Sequence, residues 1–457
     1  MPNLHVDFTQ SIGRIKPMHA VGQPPFGGGF LKLDFSYFQH LTNARIPYSR
    51  LHDVGGPFGG NRYVDIPNLF RDFDADEKDP DAYDFAFTDE LIKALYEYGI
   101  KPIFRLGVTI ENQAHIKAYR IHPPKDYAKW ARICEHVIRH YNEGWANGFR
   151  FGIEYWEIWN EPENGVPGKN QMWTGTAEQF YELYDVTAKH LKSCFGDSIK
   201  VGGYGASGMY GIYYHPEKYG VDVPTREIDE RYEGDVYRVE FFLGFLKYIK
   251  EHGSPIDFFS WHSYAKVDKT LVIDDFIHRT LTEYGYGDLE RHLNEWNNAH
   301  HTMWYGTSYA SAANAAMMCA MQNSHTDMLC YYDARLAAGN YSGFFAPFTH
   351  ELTCTYYAFV AFGELYALKN QVLCEIGEEQ EGLYAVAAAD GDRRAVMIVN
   401  HSEEKRVLSL DVDDTFSVYL LDQDYYLTKS DATASSLTVE ANRIILIKNY
   451  ESETESE

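Results

Sequence analysis

The spacing of apolar residues along this chain changes character near residue 368. Before that point, short apolar runs alternate with longer segments whose apolar positions recur every three or four residues. These are the signatures of strand and amphipathic helix. Residues 46–52, 101–107, 154–159, 199–203, 257–263, 289–295 and 328–333 read as strands, and a further strand is expected near residues 17–21. Residues 89–98, 127–141, 178–195 and 239–252 read as helices, the first stopped by Gly99. Eight strands, most followed by a helix, predict an α/β fold: a parallel sheet closed into a (β/α)8 TIM barrel over residues 13–365. An open doubly wound sheet is the alternative. Its phosphate-binding turn would fall at Gly27-Gly28-Gly29, which no βαβ unit surrounds.

Beyond residue 368 the runs are short and β-rich: residues 383–387, 394–399, 407–412, 416–421 and 443–447. Turn signals such as Asp390-Gly391-Asp392 separate them, which predicts an antiparallel β-sandwich over residues 366–450. A strand within residues 3–10 is expected to join it. The acidic stretch 451–457 reads as a disordered tail.

The barrel pattern says where to look for chemistry, because active residues of such barrels sit at the carboxyl ends of the strands. The fourth strand runs into Trp156-Glu157-Ile158-Trp159-Asn160-Glu161-Pro162, placing Glu161 at the strand end with Pro162 turning the chain away. Trp156, Trp159 and Trp173 offer partial desolvation, which favours the protonated carboxyl that a general acid needs. The seventh strand ends in Asn294-Glu295-Trp296-Asn297. Two carboxylates on different strand ends can face each other across the barrel mouth. Glycosidic cleavage requires that arrangement: one protonates the leaving oxygen and the other attacks the anomeric carbon. Glu290, a competing carboxylate, lies at the start of its strand, on the opposite rim.

These strings resemble glycoside hydrolase family 39, within the larger clan of retaining barrels that carry their two glutamates on strands four and seven. The resemblance extends from residue 89 to Asn297 with gaps, through Met172-Trp173-Thr174-Gly175 and Trp261-His262-Ser263-Tyr264. It implies Glu161 as general acid/base and Glu295 as nucleophile. It further implies that Asn160 bonds the sugar 2-hydroxyl, Arg50 keeps the nucleophile ionised and His52 touches the sugar. His262 and Tyr264 would flank the nucleophile, with Trp296 nearby. Strand eight departs from the family, whose xylosidases place a Trp and an acidic pair there. Here Tyr332 stands in the Trp position within Cys330-Tyr331-Tyr332-Asp333-Ala334-Arg335, and the acidic pair is absent. The loop Asn298-Ala299-His300-His301 also lacks the family's usual tyrosine.

Composition narrows the partner. A net charge of −25 disfavours nucleic acid, anionic membranes and sulfated glycans, leaving a neutral oligosaccharide or glycoside as the simplest substrate. The 36 Tyr, 27 Phe and 8 Trp supply faces on which sugar rings stack. There is no HExxH, no paired Cys/His spacing and no GxSxG, so neither a metal nor another cofactor is expected. The six cysteines form no framework, and the N-terminus shows no signal-peptide pattern, so the expectation is a cytoplasmic protein with reduced thiols. The sequence-level reading is a retaining exo-glycosidase, β-D-xylosidase-like, with an α-L-arabinofuranosidase or an endo-acting enzyme as alternatives. A catalytically silent sugar-binding barrel is the alternative of another class. Residues 53–84, rich in Gly, Asp and aromatics, would wall off an exo pocket or form a contact in a homo-oligomer.

Overall fold

The computed structural model describes residues 3–29, 32–51, 64–108, 121–167, 169–336, 341–377, 380–412 and 415–451. His52 and residues 53–63 of the segment 53–84 lie outside the described residues, as does nearly all of the acidic tail.

Eight parallel strands close into a barrel: Ala20–Gly22, Tyr48–Leu51, Lys101–Leu106, Tyr155–Ile158, Lys200–Ala206, Phe258–Ser263, Glu290–Trp296 and Met328–Tyr331. The fold is therefore a TIM barrel with an appended β domain. The first strand is shorter and starts later than its sequence suggested. Gly27–Gly29 is no phosphate turn; it pairs with Lys32–Asp34 in a two-stranded ribbon.

The chain divides into two compact units. One comprises residues 1–48, 264–271 and 296–457, and the other residues 49–263 and 272–295. The second unit holds barrel strands two to seven. Their middles are buried on both faces, as parallel strands covered by helices must be. Register aligns Arg105 with Glu157, and Glu157 with Gly202, across strands three, four and five. The helix Ala177–Phe195 shows how local sequence sets an element. Thr176 accepts from the Gln179 backbone, and the Gln179 side chain returns a bond to Thr176, a reciprocal cap that starts the helix. Gly196 then ends it.

In the first unit, a nine-stranded sheet forms the β domain. Asn3–Arg14 lies inside it, antiparallel to Asn370–Ile376 and, through Asn3 and Leu4, parallel to Arg406–Leu410. The remaining pairs are antiparallel, so the sheet is mixed and curls around its own core. Leu4, Val6, Val396, Val418 and Leu437 share that core. Asn370–Ile376, Tyr426–Ser430 and Ser436–Val439 are further strands that the sequence reading did not pick out. Among the described residues none of the six cysteines forms a disulfide. Among the described residues no helix is long and apolar enough to cross a membrane.

Candidate active site

In the second unit, strand ends two, four, five, six and seven bring polar groups together in a protein interior. Glu161 and Glu295 are nearly buried, at 9% and 6% exposure. A carboxylate oxygen of one lies within 4.8 Å of a carboxylate oxygen of the other. His262, fully buried, sits between them: its Nδ1 is 2.8 Å from Glu161 Oε1 and 3.7 Å from Glu295 Oε2. Burial opposes a charge on this imidazole. The charge of Glu295 and the hydrogen bond to Glu161 outweigh burial and raise its pKa above the ordinary histidine value.

Arg50 organises the cluster from strand two. Its Nη1 reaches Glu295 Oε2 at 3.3 Å, its Nη2 donates to Asn160 Oδ1 at 2.7 Å, and its Nε donates to Glu157 Oε2 at 2.7 Å. A guanidinium only donates, so the bond from Arg50 fixes which end of the Asn160 amide is oxygen. Asn160 Nδ2 then has no partner among the described residues, and neither has His262 Nε2. Buried polar atoms left unmated by the described residues are how a preformed ligand site looks from inside.

Glu157 is a functional residue that the sequence reading passed over. It is wholly buried and also accepts from Ser260 Oγ and Asn294 Nδ2, each at 2.6 Å. Burial disfavours its charge, yet the Arg50 cation and these bonds hold its carboxyl below the usual carboxylate range. A signal existed: strand alternation turns Glu157 away from Trp156 and Ile158, toward the barrel interior. Glu161 itself is gripped on its second oxygen by Asn164 Nδ2 at 2.7 Å, and Arg238 Nη2 donates to the Asn164 oxygen at 3.1 Å. Glu163, two residues on, is fully buried and accepts from the Ser207 backbone N–H and hydroxyl. Its own burial, reinforced by the charge of Glu161, pushes its pKa up to about 7 against the lowering effect of the Ser207 bond.

Other expectations fare differently. Glu290 belongs to the opposite rim, bound to Lys200 at 2.5 Å and to the Tyr155 hydroxyl at 2.8 Å. The tryptophans named beside Glu161 are buried packing residues. Trp156, Trp159 and Trp173 each donate to a backbone carbonyl, and Trp159 meets Trp173 edge to face. In the first unit, Trp296 is fully buried against Tyr331 and Phe359, on the strand face opposite Glu295. Tyr264, His300, Tyr332 and Tyr341 form an aromatic cluster there, with ring centroids 5.1–6.4 Å apart for the contacting pairs. Asp333 is taken up by Arg335, at 2.9 Å from Nη2 and 3.1 Å from Nε.

The sequence profile of glycosyl hydrolases family 39 matches residues 57–328, more than half of the chain. The chain belongs to glycosyl hydrolase family 39. Its relatives within reach of sequence include a beta-xylosidase of Geobacillus stearothermophilus, 25% identical over 249 residues, and one of Caldicellulosiruptor saccharolyticus, 26% identical over 242 residues. The alignments cover 50% and 48% of this family 39 chain and 40% and 41% of the relatives, so it spans well under half of their length. Solved structures share the fold across nearly the whole chain. A glucosidase from Croceicoccus marinus superposes with a TM-score of 0.74 at 21% identity, covering 98% of both chains. A GH39 beta-xylosidase from Caulobacter crescentus superposes at 0.67 and 17% identity, covering 97% of this chain and 99% of its own.

Proposed function

We propose that this family 39 chain is a retaining, exo-acting glycoside hydrolase of β-D-xylosidase-like specificity. One observation carries the reading: carboxylate oxygens of Glu161 and Glu295 approach within 4.8 Å. Retaining pairs stand roughly 5–5.5 Å apart, and inverting pairs roughly 6.5–9.5 Å, to admit a water. Glu295, which Arg50 bonds, is the nucleophile, and its carboxylate attacks the anomeric carbon. Glu161 delivers its proton to the glycosidic oxygen as that bond breaks, leaving a glycosyl ester on Glu295. In the second step Glu161 takes a proton from water, the water oxygen attacks the same carbon, and Glu295 leaves. Asn160 bonds the sugar's 2-hydroxyl, an interaction that strengthens as the oxocarbenium develops; its Nδ2, without a partner among the described residues, supports this role.

The xylosidase preference rests on the two bacterial relatives named beta-xylosidase. The full-length likeness to a glucosidase, together with the altered strand eight, supports a hexosidase as the second reading. Nitrophenyl xyloside, arabinofuranoside, glucoside and galactoside decide among these. Proton NMR of the first-formed sugar should show the substrate's own anomer; the opposite anomer rejects retention. Glu295→Ala should be inactive and, with azide, yield the inverted glycosyl azide. Glu161→Ala should keep activity on aryl glycosides with good leaving groups, which need no proton, and lose it on natural ones.

A further inference from the structure

Among the described residues, two sets of three potential metal ligands converge. Glu161, His262 and Glu295 are one set, and the candidate active site accounts for them. Glu135, His190 and Cys194 are the other. They lie within the second unit, on two helices that pack side by side: Tyr127–Asn142 carries Glu135, and Ala177–Phe195 carries His190 and Cys194. His190 and Cys194 are four residues apart, so one turn of helix stacks them on the same face. His190 Nε2 lies 2.6 Å from Glu135 Oε2 and 3.8 Å from Cys194 Sγ, and the thiol also meets the Glu135 carboxylate. All three groups are half-buried, so the point on which they converge is open to an ion from solvent.

The spacing fits a metal. A tetrahedral zinc, about 2.3 Å from sulfur and about 2.0 Å from nitrogen, holds those two atoms roughly 3.6 Å apart, close to the 3.8 Å seen here. The Glu135 oxygen has to retreat by under about 1 Å to take its place as the third ligand. A plain ion pair explains less of the arrangement. Glu135 already has a cation on its far side, where Arg139 Nε donates to Oε1 at 2.7 Å. Arg139 is held there by the Phe195 ring, 5.1 Å from its centroid, and by Glu143. Its bond fixes the carboxylate with Oε2 turned to the imidazole and the thiol, as the partners of metal-ligating carboxylates do. Cys194 also lies in the last turn of its helix, where the free carbonyls favour a cation.

We propose that Glu135, His190 and Cys194 form a zinc site that ties helix Tyr127–Asn142 to helix Ala177–Phe195, with a fourth position left to water. The donor set chooses the metal. Calcium and magnesium take oxygen ligands, whereas thiolate, imidazole and carboxylate together suit a borderline-soft ion such as zinc. The sequence reading expected no metal, because the Glu135 ligand stands 55 residues from His190 and no contiguous motif joins them.

The test uses the full-length protein stripped with EDTA and desalted. Calorimetric titration with zinc chloride should show one site per chain, filled at micromolar zinc. Cobalt, added instead as a spectroscopic stand-in, should give a thiolate-to-metal charge-transfer band that Cys194→Ser abolishes. His190→Ala and Glu135→Gln should each weaken zinc binding by about 100-fold or more, beyond the loss caused by a residue that only supports a ligand. Zinc should raise the Tm of wild type, with EDTA reversing the rise, and leave the Tm of the His190→Ala/Cys194→Ser double variant unchanged. Should a variant fail to fold, wild type alone decides: zinc should slow alkylation of Cys194, read by peptide mass, by about ten-fold or more. Unchanged labelling of Cys194 with zinc bound places the metal elsewhere and overturns the proposal. So does zinc binding that survives the double substitution, and so does a wild type that takes up no zinc at micromolar concentration.

Discussion

At the scale of single residues, the candidate site is a problem of placing like charges in a dry interior. Three carboxylates, Glu157, Glu161 and Glu295, share one guanidinium, Arg50, and one imidazole, His262. Arg50 works because its planar fork spreads three donor nitrogens toward three separate partners, a span that the compact ammonium of a lysine lacks. Glu157→Gln keeps the shape but leaves Arg50 short of a counter-charge. Urea unfolding should show a loss on the order of 3 kcal/mol, the usual scale for breaking a buried pair. An unchanged midpoint would show that Glu157 is not ionised. Glu163 gives a pH dependence of definite sign. Its pKa rises from 4.5 to about 7 on folding, so the folded chain holds that proton more tightly than the unfolded one. The stability it contributes is complete below about pH 4.5 and drains away as pH climbs through about 7. Between pH 5 and pH 8, wild type should therefore lose up to about 3 kcal/mol relative to Glu163→Gln. Parallel stability–pH curves for the two proteins would refute this. His262 acts in the same direction, its raised pKa favouring the folded state at lower pH.

At the scale of elements, strand five, Lys200–Ala206, decides how closely the site can close. A Cβ on Gly205 would come within 3.1 Å of Arg50 Nη2 and Asn160 Oδ1, and 3.2 Å of His262 Nε2. Gly205 also sits at φ +62°, so glycine is required there for conformation and for space. Gly205→Ala should lower kcat by about 100-fold through displaced site groups, with only about 1–2 kcal/mol of lost stability. Gly285→Ala is the control, since Gly285 has φ +90° with nothing within 4 Å of its added Cβ. It should lose similar stability and keep full activity. Equal activity in both variants would mean that the close approach has no functional weight. Glycine's role here was invisible in the sequence, because the strand read over residues 199–203 stops short of Gly205 and nothing local marks the groups it approaches.

At the scale of the whole molecule, the N-terminal segment belongs to the last-formed part of the chain. Asn3–Arg14 fills the gap between Asn370–Ile376 and Arg406–Leu410, with Leu4 and Val6 buried in the sheet core. Deleting residues 1–13 exposes two unpaired strand edges, so the shortened protein should aggregate on size exclusion. Leu4→Ala alone should cost about 2–4 kcal/mol in urea. A monodisperse, equally stable deletion would show the strand to be dispensable. Because this pairing spans most of the chain length, the sheet can form only after the residues between are made, a slow, non-local step.

The amino-acid sequence by itself determined the barrel, its strand order and the two carboxylate-bearing strand ends. Those follow from apolar periodicity and from strings such as Trp156–Pro162 and Asn294–Asn297, in which each residue's face is set by its immediate neighbours. Only the tertiary structure decided what those residues meet. Glu157 read as one more strand residue until Arg50, Ser260 and Asn294, from three other strands, converged on it. Trp296 read only as a neighbour of the nucleophile until helix Cys354–Leu368 supplied Phe359 to cover it. Local physics writes periodicity and strand ends into the chain. Burial, hydrogen-bond closure and pKa depend on groups distant in sequence, and only folding brings them within reach.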